Sequence, residues 1–86
     1  MSIRGTVHAA NPRRGMIAID TGAMGFTIIE VTDIAAFDVG DTVEWANNTG
    51  LGSQMYRNVS KGKDVQVYAQ NHWVRPEHLR QQLLMD

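Results

Sequence analysis

Two short runs of alternating side chains limit what this chain can become. Residues 16–21 set Ile17 and Ile19 against Met16, Ala18 and Asp20, and residues 26–32 set Thr27, Ile29 and Val31 against Ile28 and Glu30. A period of two sends successive side chains to opposite faces of a sheet, so each run reads as a strand. The runs are bounded by Asn11-Pro12-Arg13-Arg14-Gly15 and Gly22-Ala23-Met24-Gly25, residues that favour tight turns. With residues 3–10 ahead of them, they make a three-stranded meander.

A meander needs a partner to bury its apolar row, and the rest of the chain supplies more strands. Gly40-Asp41 turns into a fourth strand at residues 42–46, and Asn47-Asn48-Thr49-Gly50-Leu51-Gly52 is a loop. Residues 54–59 suit a fifth strand, and Val65, Val67 and Ala69 suggest a sixth. Asn71-His72-Trp73 reads as a turn, with Asn71 bonding to backbone and Trp73 packing down, in preference to a catalytic cluster. Residues 76–85 then open on Pro76-Glu77 and carry Leu79, Leu83 and Leu84 along one side, the pattern of a short C-terminal helix.

With 86 residues the chain holds one core, because so short a chain buries only about 60 to 65% of the surface its unfolded form exposes. The expected organisation is one domain over residues 1–86, with a barrel over residues 1–61 and a strand-and-helix extension over residues 62–86. The absence of cysteine excludes a disulfide framework, thiolate metal sites and a thiol nucleophile. A net charge of -1 provides no global field for polyanions, so nucleic-acid binding would need a local basic patch. Arg4, His8, Arg13 and Arg14 interrupt the first twenty residues, leaving no apolar leader or membrane span, and a soluble, cytoplasmic protein is expected. The three histidines and nine carboxylates lack metal-ligand spacing, and Ser53 and Ser60 lack a base-and-acid pattern. No enzyme activity, metal or cofactor is expected.

Collinear elements carry a family resemblance. Gly5-Thr6-Val7 with Asn11 resembles the opening of the cold-shock domain, Gly15 follows a basic residue as it does there, and Thr32-Asp33-Ile34 resembles the close of its third strand. Phe37, Gly40 and Val43-Glu44-Trp45 are similar to its fourth strand, and Arg57-Asn58-Val59-Ser60-Lys61 to its ending. The likeness spans about residues 3–61 and implies an all-β, five-stranded OB-type barrel. In that register Ile17, Ile19, Ile29, Val43 and Val59 face the interior, while Met16, Ala18, Ile28 and Glu30 face out.

The resemblance implies binding of single-stranded DNA or RNA, but the stacking residues are missing. Ala9, Ala10, Met16, Ala18 and Ile28 stand where the family carries aromatic rings, and Glu30 puts a carboxylate amid a phosphate-binding face. Each lost platform removes roughly 1 to 3 kcal/mol per base. What remains is a weak, mainly electrostatic site of His8, Arg13, Arg14, Tyr56, Arg57 and Lys61, with Tyr56 as a substitute platform. The alternative is a protein-interaction or self-association module using Met16, Ile28, Trp73, Leu79 and Leu83, in which the tail packs on the aliphatic face of this barrel or of a second copy.

Overall fold

Alternation carries straight into the backbone. In the computed structural model, which describes residues 2–46 and 50–84, β1 (Ser2–Asn11), β2 (Met16–Asp20) and β3 (Phe26–Glu30) form the antiparallel meander. Strands β4 (Thr42–Ala46), β5 (Gly52–Asn58) and β6 (Lys63–Val74) come next, and the sheet closes in the order β1-β2-β3-β6-β5-β4. Every neighbouring pair is antiparallel, and β4 returns to β1 with Ser2 opposite Ala46 and Thr6 opposite Thr42. The ring thus has six strands where five are expected, because β6 lies between β3 and β5 and pairs with both. Residues 63–74 are a stave of the ring, and the extension begins only after Val74. The loop expected at 47–52 falls partly on residues 47–49, outside the described residues, and Gly52 already opens β5.

The inward rows fill the ring. Ile3, Val7, Ile17, Ile19, Ile29, Val31, Val43, Trp45, Tyr56 and Val67 belong to one buried cluster, each side chain stabilising the fold by roughly 1.5 to 3 kcal/mol. Close approach of β1 and β2 depends on Gly5, where a Cβ would sit 2.6 Å from Ile19 Cγ2 and 2.7 Å from the Asp20 carbonyl oxygen. Val59 does not join the interior and is 38% exposed. Parity explains this: Tyr56 and Asn58 take the inward row of β5, so the next residue faces out.

Asn58 is a fully buried amide whose polar atoms are satisfied. Its Nδ2 donates to the Ala36 carbonyl (2.9 Å) and to Asp41 Oδ2 (2.8 Å), and its Oδ1 accepts from the Lys61 N–H (3.1 Å). One side chain thereby ties the 3-10 turn Ile34–Ala36, the approach to β4 and the β5–β6 turn together. Leaving any of these groups unpaired would cost about 1 to 3 kcal/mol.

A second core lies outside the ring. Met16, Ala18, Phe26, Ile28, Val74 and Leu83 cluster there, with Ala9 and Leu79 packed against them. The cover is the tail, folded as a 3-10 turn Pro76–His78 and the short helix α1 (Leu79–Gln82). So short a helix has little stability of its own, and burial of Leu83 holds it. Asn11 fastens its end, donating from Nδ2 to the Leu83 carbonyl at 2.8 Å and to that of Leu84 at 3.4 Å. Met85, the last residue expected in the helix, lies outside the described residues.

Candidate functional site

The tail occupies the outer face of β1, β2 and β3, which settles where several candidate residues stand. Met16 and Ile28 are buried beneath it, Leu83 is buried as its anchor and Leu79 packs against this cluster, so the aliphatic face is consumed within the chain. Met16, Ala18 and Ile28 do lie outside the ring and Glu30 does face solvent, as the period of two requires. Trp73 departs from the expectation and packs against the interior cluster. The expected turn at 71–73 is instead the end of β6, with Trp73 at φ 59°, a backbone angle costly for a bulky side chain. The ring of His72 bridges Thr27 Oγ1 (3.0 Å, at Nδ1) and the Gly50 carbonyl (3.3 Å, at Nε2), so both nitrogens are engaged in joining elements.

The basic candidates do not converge. Tyr56 is not at the surface as expected: it is 1% exposed and stacked on Trp45, with ring centroids 4.4 Å apart and planes 1° from parallel. The inward parity that excludes Val59 puts Tyr56 inside, out of reach of any base. Burial pushes its phenol pKa upward. Lys61 is held by Asp38 at 2.6 Å and Asp41 at 3.6 Å, and Arg57 pairs with Asp64 at 3.3 Å. His8 is exposed on the β1 irregularity with its ring 5.0 Å from that of Phe26. Arg13 and Arg14 project from the β1–β2 turn, at the other end of β1 from its pairing with β4.

Four charged side chains alternate in sign in a cross-strand row over β1, β4, β5 and β6. Arg4 Nη2 meets Glu44 Oε2 at 2.7 Å, Glu44 stands opposite Arg57, and Arg57 pairs with Asp64. Each exposed pair adds little stability. These four charges sum to zero, so this row offers a phosphate backbone no run of like positive charge.

What stays open is the outer row of β5 and β6. Ser53 is opposite Tyr68 and Met55 is opposite Gln66, which places Met55 and Tyr68 diagonally adjacent on one face. Met55 is 61% exposed and Tyr68 40% exposed, while Gln66 Nε2 donates to Ser53 Oγ at 2.8 Å. This uncharged patch is bounded by the Arg57–Asp64 pair on one side and by Glu30, opposite Tyr68 on β3, on the other. Sequence reasoning passes over these residues. Once Val65, Val67 and Ala69 are an inward row, the same period marks Gln66, Tyr68 and Gln70 as the outward one.

Among the described residues no group of three histidine or carboxylate side chains is placed to hold a metal ion, and no helix is long and apolar enough to cross a membrane. No family model, curated protein or solved structure matches the chain.

Proposed function

We propose that this chain is a non-enzymatic, protein-binding module, an OB-type barrel of the cold-shock kind that has given up its nucleotide face. The observation that carries the reading is the docked tail: Leu83 and its neighbours fill the surface of β1–β3 on which the resembled family would stack bases. The neutral charge row and the internal position of Tyr56 point the same way. The partner surface is the Met55–Tyr68 patch, since exposed methionine and tyrosine ringed by polar side chains have the composition of interface cores.

Two measurements test this. Labelled oligo(dT) and oligo(U) titrated into the full chain at low and physiological salt should show no saturable change in anisotropy below ~100 μM. Display of random peptides against the same protein should enrich sequences whose binding is lost in Met55→Asp. Tight oligonucleotide binding, or no enrichment dependent on Met55, overturns the proposal.

A further inference from the structure

Beside the Met55–Tyr68 patch a groove of about 460 Å³ runs between the tail and the sheet, lined by Met16, Glu30, Gln70, Gln81, Gln82 and Leu84. A space of this size suits one long side chain with its flanking backbone. Among the described lining residues Glu30 is the one acidic or basic side chain, and its carboxylate has no cation partner among the described residues. Its polar contact is weak, an amide hydrogen of Gln70 Nε2 with the nitrogen 3.4 Å from Oε1.

Three features define what would fit. The carboxylate offers acceptor lone pairs to a cation, and the amides of Gln70, Gln81 and Gln82 can turn further oxygens toward it. Met16 and Leu84 supply apolar wall for an aliphatic stem. Tyr68 is the cross-strand neighbour of Glu30, so its half-exposed ring stands beside the carboxylate on the same face. A planar cation can then lie over the ring while bonding the carboxylate edge-on, an arrangement that suits guanidinium better than ammonium.

We infer that this groove is an arginine-recognition site, in which Glu30 pairs with the guanidinium of a partner peptide and Tyr68 stacks against it. The inference rests on the protein-binding reading and names the chemistry of the partner. Arg13 and Arg14 lie on the β1–β2 turn just before Met16, so the guanidinium enters from the β6 side, over Tyr68, away from those two charges.

The probe is a blocked alanine-arginine-alanine tripeptide, titrated into the full chain and followed by amide chemical shifts. Saturable shifts are expected at residues 16, 30, 68, 70 and 81–82, with a Kd of about 1 mM, as befits one anchored side chain. Replacing arginine by its neutral isostere citrulline should weaken binding about 10-fold or more, as should Glu30→Gln, an exposed substitution that leaves the fold intact. Tyr68→Leu should weaken it about 3-fold, and lysine in place of arginine should bind several-fold more weakly. Arg14→Ala should leave the affinity unchanged or tighten it. Citrulline binding as well as arginine, Glu30→Gln without effect, lysine binding more tightly, or loss of binding in Arg14→Ala would each overturn the assignment. Arginine-free peptides selected through Met55 would sink this inference and leave the protein-binding reading standing.

Discussion

Leu83 and Leu84 are adjacent and chemically identical, yet the first is 1% exposed and the second 53%. Truncating each to alanine therefore measures whether the tail is docked on the outer face. Leu83→Ala removes the three carbons beyond Cβ from a cluster with Met16, Ala18, Phe26, Ile28 and Val74. Such substitutions cost about 2 to 5 kcal/mol, and a terminal segment that can relax or lift off falls near the lower end, at about 2 to 3 kcal/mol. In a domain of this size each kcal/mol lowers Tm by roughly 4 to 8 °C, so a fall of about 10 to 20 °C is expected. Leu84→Ala should stay within about 3 °C, since a surface substitution changes stability by no more than about 0.5 kcal/mol. Thermal unfolding monitored by near-ultraviolet circular dichroism provides both numbers. Equal effects from the two variants, or a Leu83→Ala shift below about 3 °C, would refute the docked tail and with it the claim that the β1–β3 face is closed.

Three further polar side chains, two of them buried and one half-buried, lead to other expected outcomes. Asn58→Ala leaves the Ala36 carbonyl and the Lys61 N–H without their partner, so chemical denaturation should report a loss of about 2 to 4 kcal/mol. Tyr56 buries a hydroxyl with no hydrogen-bond partner among the described residues; Tyr56→Phe should be neutral or raise Tm slightly, and a destabilisation above about 1 kcal/mol would mean that the hydroxyl has a partner. For Asp41, burial pushes the carboxyl pKa up, but hydrogen bonds from Asn58 and the Asp38 N–H and the nearby Lys61 ammonium outweigh it and hold the pKa below the ordinary carboxylate value. A depressed folded pKa contributes stability that is present above the unfolded value, about 4, and lost as pH falls through the folded one. Melts taken from pH 6 down to 2 should therefore decline below about pH 4, and less steeply in Asp41→Asn.

Period-two alternation is local, and the features it governs are legible in the sequence. Ile17, Ile19 and Ile29 face the interior and Met16, Ala18 and Ile28 the exterior because a strand has only two faces, and a slip of one residue would bury Glu30. The same reasoning fails at Val59 because the parity of β5 is set by Tyr56 and Asn58, and a buried asparagine does not look like a core residue in a sequence. Its place is made by acceptors from residues far along the chain, Ala36 and Asp41. Tyr56 escapes for the complementary reason: an aromatic ring beside Arg57 suits a binding surface and a core equally well.

An all-β chain, an aliphatic outward row on the second and third strands and a tail whose leucines need cover are all written in local spacing. They are consequences of backbone pleating and of apolar area that water disfavours. Long-range assembly alone makes β6 complete the ring, closes the tail over its own sheet, and neutralises Arg57 and Lys61 with Asp64 and Asp38. Pairing between distant strands depends on register, twist and closure, which no window of residues contains. The groove beside Glu30 exists for the same reason, since its walls come from β2, β3, β6 and the tail and meet only once the ring has formed.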